Sequence, residues 1–285
     1  MGVSTARPGL PQEPVIGPPQ TIILPQRVVA GESASLAVLD AAGRLVPGAA
    51  VYLTESTKLV TDATGRAVFV ASAEGGSLAA HLDPRGPEFT AAILPPPKGA
   101  EGKSHSVPHP AMPPRIASFP RVIALGDRFA LEGDGFRGNV NLDRVLVGEQ
   151  SAIVLAASPV SVVALANPRT ALGATQIRIE ILGAGASAMS VTVVSLAVSG
   201  PAKTLSAGSS GALTVSVVGS TEPLDVEVRN LVPNVVTLPG GSAVQLKTSG
   251  GEPNVATVEL TGVRGGDYSV SARLLPVISV LPTNP

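Results

Sequence analysis

Phe129-Ala130-Leu131-Glu132-Gly133-Asp134-Gly135-Phe136, Val145-Leu146-Val147-Gly148-Glu149, Ser158-Pro159-Val160-Ser161-Val162-Val163-Ala164-Leu165 and Gln176-Ile177-Arg178-Ile179-Glu180-Ile181 all lie between Pro114 and Leu196. Ile177, Ile179 and Ile181 fall on one side of an extended chain; Gln176, Arg178 and Glu180 fall on the other. That period of two belongs to a strand with one face on a core. In Phe129-Ala130-Leu131 the larger residues alternate in the same way. Val145, Val147 and Ile153 are expected core positions, with Gly148-Glu149 as a hairpin turn. Ser158-Pro159 reads as the start of a strand that ends near Leu165, and Asn167-Pro168 with Leu172-Gly173-Ala174 as the next connection. Gly133 and Gly135 allow a tight bend at a strand end, which Phe136 is placed to plug.

On these residues the stretch resembles an IPT/TIG domain, an immunoglobulin-like β-sandwich. It opens Pro114-Arg115-Ile116-Ala117-Ser118-Phe119-Pro120, and Gly133-Asp134-Gly135-Phe136 carries the family's G-x-G-F signature. It departs from the family over Val122 to Asp127, where the usual glycine-rich loop has only Gly126. The resemblance implies a module that spaces, docks or binds and does not catalyse. DNA-binding members of the family use basic loops. Here Arg121, Arg128, Arg137 and Arg144 are scattered among Asp127, Glu132, Asp134 and Asp143, so no nucleic-acid partner is expected.

Upstream, residues 25–94 read as a smaller sandwich. Ser35-Leu36-Ala37-Val38-Leu39 is an apolar strand, Asp40-Ala41-Ala42-Gly43-Arg44 a turn, and Val46 to Leu53 the next strand. Thr61-Asp62-Ala63-Thr64-Gly65 is a turn that feeds Arg66 to Val70. The pattern resembles bacterial Ig-like (invasin-type) and carboxypeptidase-regulatory-like domains. Asp40 and Asp62 are read as turn formers, because calcium needs six to eight oxygens and each turn offers one carboxylate. Residues 1–24 carry Pro8, Pro11, Pro14, Pro18 and Pro19, so an extended segment is expected, with Thr21, Ile22, Ile23 and Leu24 as its adhesive part. It lacks the basic and apolar regions of a signal peptide and is read as the start of a mature form. Residues 95–114 form a Pro-rich linker in which Pro108 and Pro110 keep His105 and His109 off a common helix face.

Downstream, residues 197–276 read as a third Ig-like sandwich. Ala212 to Val218, Leu224 to Val228, Ala243 to Lys247, Ala256 to Leu260 and Ser269 to Leu274 are its strands, and Tyr268 is placed to pin a corner. Residues 277–285 are an extended segment whose Val277, Ile278, Val280 and Leu281 complete their own sandwich or are offered to a neighbour. The whole is all-β: tandem immunoglobulin-like β-sandwiches joined by Pro-rich linkers.

Composition agrees and narrows the function. With 31 Gly and 27 Pro punctuating aliphatic runs, short strands joined by turns are favoured over long helices. A net charge of -1 steers the chain toward no polyanion, and no apolar run has the length of a membrane span, so no membrane insertion is expected. Without cysteine, thiol and zinc-thiolate chemistry are excluded. His81 is the only histidine inside a domain, and no P-loop, H-E-x-x-H or G-x-S-x-G occurs. No enzyme activity and no cofactor are expected.

The expected protein is a non-catalytic, exported bacterial structural or adhesive protein at the cell surface. Its partner is itself or another surface protein, with Thr21–Leu24 or Val277–Leu281 adding as strands to the next subunit of a filament. The alternative is a carbohydrate-binding or spacer module of a surface polysaccharide-processing system, with a glycan as partner.

Overall fold

The computed structural model describes residues 20–53, 57–83, 85–96, 113–181, 184–186, 188–201 and 205–281. Among them are 25 strands and no helix. The linker histidines and most of the Pro-rich segments lie outside the described residues.

The first unit holds β1 (Thr21–Ile23), β2 (Arg27–Val29), β3 (Ser33–Leu39), β4 (Ala50–Leu53), β5 (Thr57–Val60), β6 (Arg66–Val70), β7 (Gly76–His81) and β8 (Phe89–Leu94). The second holds β9 (Arg115–Pro120), β10 (Val122–Ala124), β11 (Arg128–Asp134), β12 (Asp143–Val147), β13 (Gln150–Ser151), β14 (Ile153–Ser158), β15 (Ser161–Leu165), β16 (Gly173–Ile181), β17 (Ala184–Gly185) and the first half of β18 (Met189–Ser199). The third takes the rest of β18 with β19 (Ser210–Val218), β20 (Asp225–Asn230), β21 (Val236–Thr237), β22 (Ala243–Lys247), β23 (Asn254–Gly262) and β24 (Val270–Leu274). The chain then returns, and β25 (Ile278–Val280) pairs with β9 of the second unit.

Each unit has its own apolar core, built from aliphatics because the chain has few aromatics. Leu36, Val38 and Val51 centre the first, Leu131, Ile177 and Ile179 the second, and Leu213, Val228 and Leu260 the third. The alternation of Gln176–Ile181 is realised, with Ile177, Ile179 and Ile181 buried and Arg178 exposed. Phe136 sits in the second core, and Gly135 beside it takes a φ of 76°, which a side chain would strain.

The sheets do not respect the units. One sheet runs β1-β3-β14-β15-β11-β9-β25, with β6 on the other side of β3, and so belongs to units one and two. A second runs β13-β12-β16-β18-β19-β23-β21 and belongs to units two and three. Sheets β2-β8-β7-β4-β5 and β22-β20-β24 close the outer sandwiches. The three sandwiches thus share two of their four sheets.

Several expectations change in detail. Thr21–Ile23 is a strand of the first sandwich, paired with Ala37 to Leu39, so the unit begins before Pro25. Ser158-Pro159 ends β14 rather than starting a strand: the Ser158 hydroxyl accepts the N–H groups of Val160 and Ser161, and turns the chain. Ile153 is 43% exposed; its neighbours Ala152 and Val154 face the core instead. Val46 to Ala49 precede the strand at Ala50, held in a turn by Thr61, whose hydroxyl bonds Val46 O and Ala49 N. Before Gly126, Val122–Ala124 runs parallel to Thr192–Val194, so the second sheet gains a strand there.

Candidate functional site

Strands β3, β11, β14 and β15 bring two units face to face. Two of them are buried on both faces: Ser33–Leu39 is buried after its first residue, and Ile153–Ser158 likewise. A strand of that kind needs cover on both sides. The outer cover is the neighbouring unit. Ile23, Ala37 and Leu39 of unit one pack on Leu155, Ala156 and Val163 of unit two as a small dry core.

Around this core lies a polar lock. Glu132 is buried, and its carboxylate accepts Arg27 Nε at 2.5 Å and the Ser161 hydroxyl at 2.8 Å. Ser161 Oγ accepts the backbone N–H of Gln26 at 3.1 Å, and the Ser158 hydroxyl donates to Arg27 O at 2.6 Å. The Ser35 hydroxyl donates to Gly138 O, and Arg66 donates twice to Val154 O, at 2.8 and 3.1 Å. Every buried polar group named here has a partner, which a dry interface requires.

The second junction is made by a single strand. Residues Met189 to Val193 of β18 pair with β16, and Ser195 to Ser199 of the same strand pair with β19. Val122, Ala124, Val194, Val217 and Leu224 pack beneath it. Asp127 accepts the Leu274 N–H at 3.2 Å across the same seam. Burial pushes its carboxyl above the usual carboxylate range, against the pull of that N–H and of Arg273 and Arg128.

Beside the first junction opens a cleft of about 440 Å3 between units one and two. Buried Ile22, Ile23 and Phe129 lie at its base with Val163, and half-buried Phe89 lines it. Gln26, Glu88, Thr90 and Arg128 line it from exposed positions. Among the described residues none of these four side chains makes a hydrogen bond or ion pair. The backbone that carries them is fixed: Ala92 N–H donates to Gln26 O, β7 pairs with β8, and β15 with β11.

Of the residues singled out in the sequence, Ile22, Ile23 and Leu24 line this cleft, Ile22 and Ile23 are buried, and Thr21 pairs with Leu39 of β3. They are engaged within their own chain. Removing residues 1–24 takes β1 away, so that truncation does not leave the first sandwich intact. Val277, Ile278, Val280 and Leu281 lie on β9: Arg121 N–H donates to Val277 O, and Leu281 N–H to Ala117 O. Leu281 packs against the second core, whereas Val280 is 75% exposed. The structure brings the two ends to the same sheet but not to one site.

Asp40 and Asp62 are turn formers. Asp40 accepts the N–H groups of Ala42 and Arg44, and Asp62 those of Thr64 and Arg66. Among the described residues no three His, Cys, Asp or Glu side chains gather to hold a metal. His81 pairs across from Tyr52, and its buried Nδ1 has no hydrogen-bond partner among the described residues. Tyr268 stands against Gly200, where its hydroxyl fills the space a side chain would need.

The lock and the cleft were not visible as a site beforehand. Their signal was present in the two-faced apolar runs and in the serines and single glutamate set among them.

No family model matches the sequence, and no curated protein matches it. Solved structures match at low identity. An auxiliary nutrient binding protein from Bacteroides thetaiotaomicron is 17% identical, with 55% of this chain and 39% of that one covered and a TM-score of 0.28. SGBP-B of the Bacteroides ovatus mixed-linkage glucan utilization locus, solved with a mixed-linkage heptasaccharide, is 12% identical over 87% of this chain and 73% of that one, at 0.29. The extracellular region of plexin A4 is 12% identical over 90% of this chain and 32% of that one, at 0.35. The chain spans 38% and 39% of the first two structures it matches, well under half of each. Likeness of this degree assigns neither a family nor a ligand.

Proposed function

We propose that the chain is a non-catalytic spacer module of an exported surface system, which holds three β-sandwich units in fixed relation. One observation carries the reading: both junctions are closed by backbone pairing inside shared sheets, through Ala157 with Ser35 at the first and through β18 at the second. Domains joined only by linkers move relative to one another. Here the linker is bypassed, because the first junction joins β3 to β14 across sequence the linker does not touch.

Small-angle X-ray scattering of the intact chain tests this. A single arrangement of the units is expected to fit the curve, equally well at 0.1 and 0.5 M salt, since the junctions are largely apolar or buried. A curve that needs many relative orientations overturns the reading.

A second reading rests on a separate observation. The sheet shared by units one and two has open edges at β6 and β25, both rich in exposed β-branched residues: Val68 at 53%, Val70 at 66%, Ile278 at 50% and Val280 at 75%. The bonds of Val277 and Leu281 to β9 leave the N–H and C=O of Ile278 and Val280 pointing outward. Such an edge invites strand addition, and a head-to-tail contact of unlike edges does not close. On this reading copies of the chain associate into filaments, and Val280→Lys reduces them to monomers in sedimentation velocity. Wild-type protein that stays monomeric at high concentration removes the reading.

A further inference from the structure

We propose that the cleft between the first and second units binds a neutral oligosaccharide. The inference goes beyond the spacer reading, which stands whether or not the cleft is filled.

Ligand sites favour concave spaces of a few hundred Å3 at domain interfaces, with an apolar base and a few converging polar groups. This cleft lies at such an interface, has an apolar base and a polar rim, and is open to solvent along its length, at about 440 Å3. Its polar set is specific in kind. Glu88 offers a carboxylate that accepts from adjacent hydroxyls, and Arg128 a guanidinium that donates in a fixed fork. Gln26 and Thr90 each offer both a donor and an acceptor. A sugar is the ligand whose hydroxyls donate and accept at once, and whose C–H faces suit the half-buried ring of Phe89 and the aliphatic base.

The charges decide the subclass. Glu88 and Arg128 sum to zero, so the cleft has no net pull on a phosphate or a uronic acid, and a neutral sugar suits it better. Availability is the second part of the case. The four side chains spend no hydrogen bond on the protein among the described residues, while the backbone beneath them is paired. Gln26 is held through its own N–H by Ser161 of the other unit. The backbone of the site is therefore set before a ligand arrives, and binding has to order only the four side chains.

Isothermal titration of the full chain against cello-, xylo-, manno- and malto-oligosaccharides of four to six residues tests the proposal, with an oligogalacturonide as the acidic control. At least one neutral sugar is expected to bind. Glu88→Ala and Arg128→Ala should each weaken it by roughly ten- to a hundredfold, the value of hydrogen bonds to a charged group. Thr90→Trp, which fills the cleft, should abolish it. All three side chains are exposed, so the melting temperature and the scattering curve should not change. The proposal is overturned if no neutral sugar binds at millimolar concentration, if only the acidic control binds, or if Thr90→Trp leaves binding intact.

Discussion

Gly138→Ala is expected to prise the first two units apart. Gly138 lies in the loop between β11 and β12, with its Cα pressed on the backbone of the other unit. A Cβ there would overlap the Ser33 carbonyl oxygen and sit 2.9 Å from the Ala34 nitrogen. Both obstacles are main chain, so no side chain can rotate away. The junction must open, and the contacts nearest the loop go first: the Ser35 bond to Gly138 O, then the single Ala157–Ser35 bridge. Overpacking alone costs about 1–3 kcal/mol, and each lost buried hydrogen bond adds about 1 kcal/mol more. Calorimetry should show units one and two of the wild type melting together and those of the variant melting in two steps. Scattering should require more than one orientation for the variant only. Asn141→Ala, an exposed change in the same loop, should do neither. One shared transition in Gly138→Ala would show that the junction absorbs the added methyl group and that the close approach at Gly138 does not hold it shut.

Asp143→Asn is expected to stabilise the second unit at alkaline pH. Asp143 opens β12 and is 5% exposed. Its Oδ1 accepts the Arg137 N–H at 3.0 Å, while its buried Oδ2 has no partner among the described residues. Burial pushes its carboxyl from 3.8 up to about 7, against the pull of that N–H and of the Arg137 charge. Below the unfolded value both states hold the proton, and the site costs nothing. As pH rises toward 7 the unfolded chain ionises first, so stability falls by up to about 4 kcal/mol and then levels. Asparagine keeps the acceptor for Arg137 and removes the ionisation. The variant should gain about 2–4 kcal/mol at pH 8 and almost nothing at pH 4. Urea unfolding followed by circular dichroism at both values measures this. Equal pH dependence in the two proteins would place the charge elsewhere.

The sandwiches were legible from local pattern, because a strand with one buried face writes its period into the sequence. Ile177, Ile179 and Ile181 do so, and Ala243–Lys247 forms a strand with the expected bounds. The junctions were not legible, for a physical reason. Ser35, Ser158 and Ser161 are small hydroxyl residues that suit a solvated strand as well as a buried seam, and only the facing unit distinguishes the two. Glu132 reads as a surface charge until Arg27 and Ser161 are placed against it. Thr21–Ile23 was legible as a strand but not its partner: the prolines upstream set it apart as a segment for a neighbouring subunit, yet it pairs with β3 of its own chain. The cleft needs residues from positions 22 to 163, a separation no local pattern spans.

The return of β25 to β9 has a mechanical consequence. Unit three is strung between β18 and β25, and both of those strands are anchored on unit two. Tension arriving from beyond Leu281 passes through the β25–β9 bonds straight into the second unit. The third unit hangs outside the load path as a slack loop. Only when β25 tears free does it come under strain, and its unravelling then releases a reserve of length, so that the seam behaves as a fuse ahead of a shock absorber.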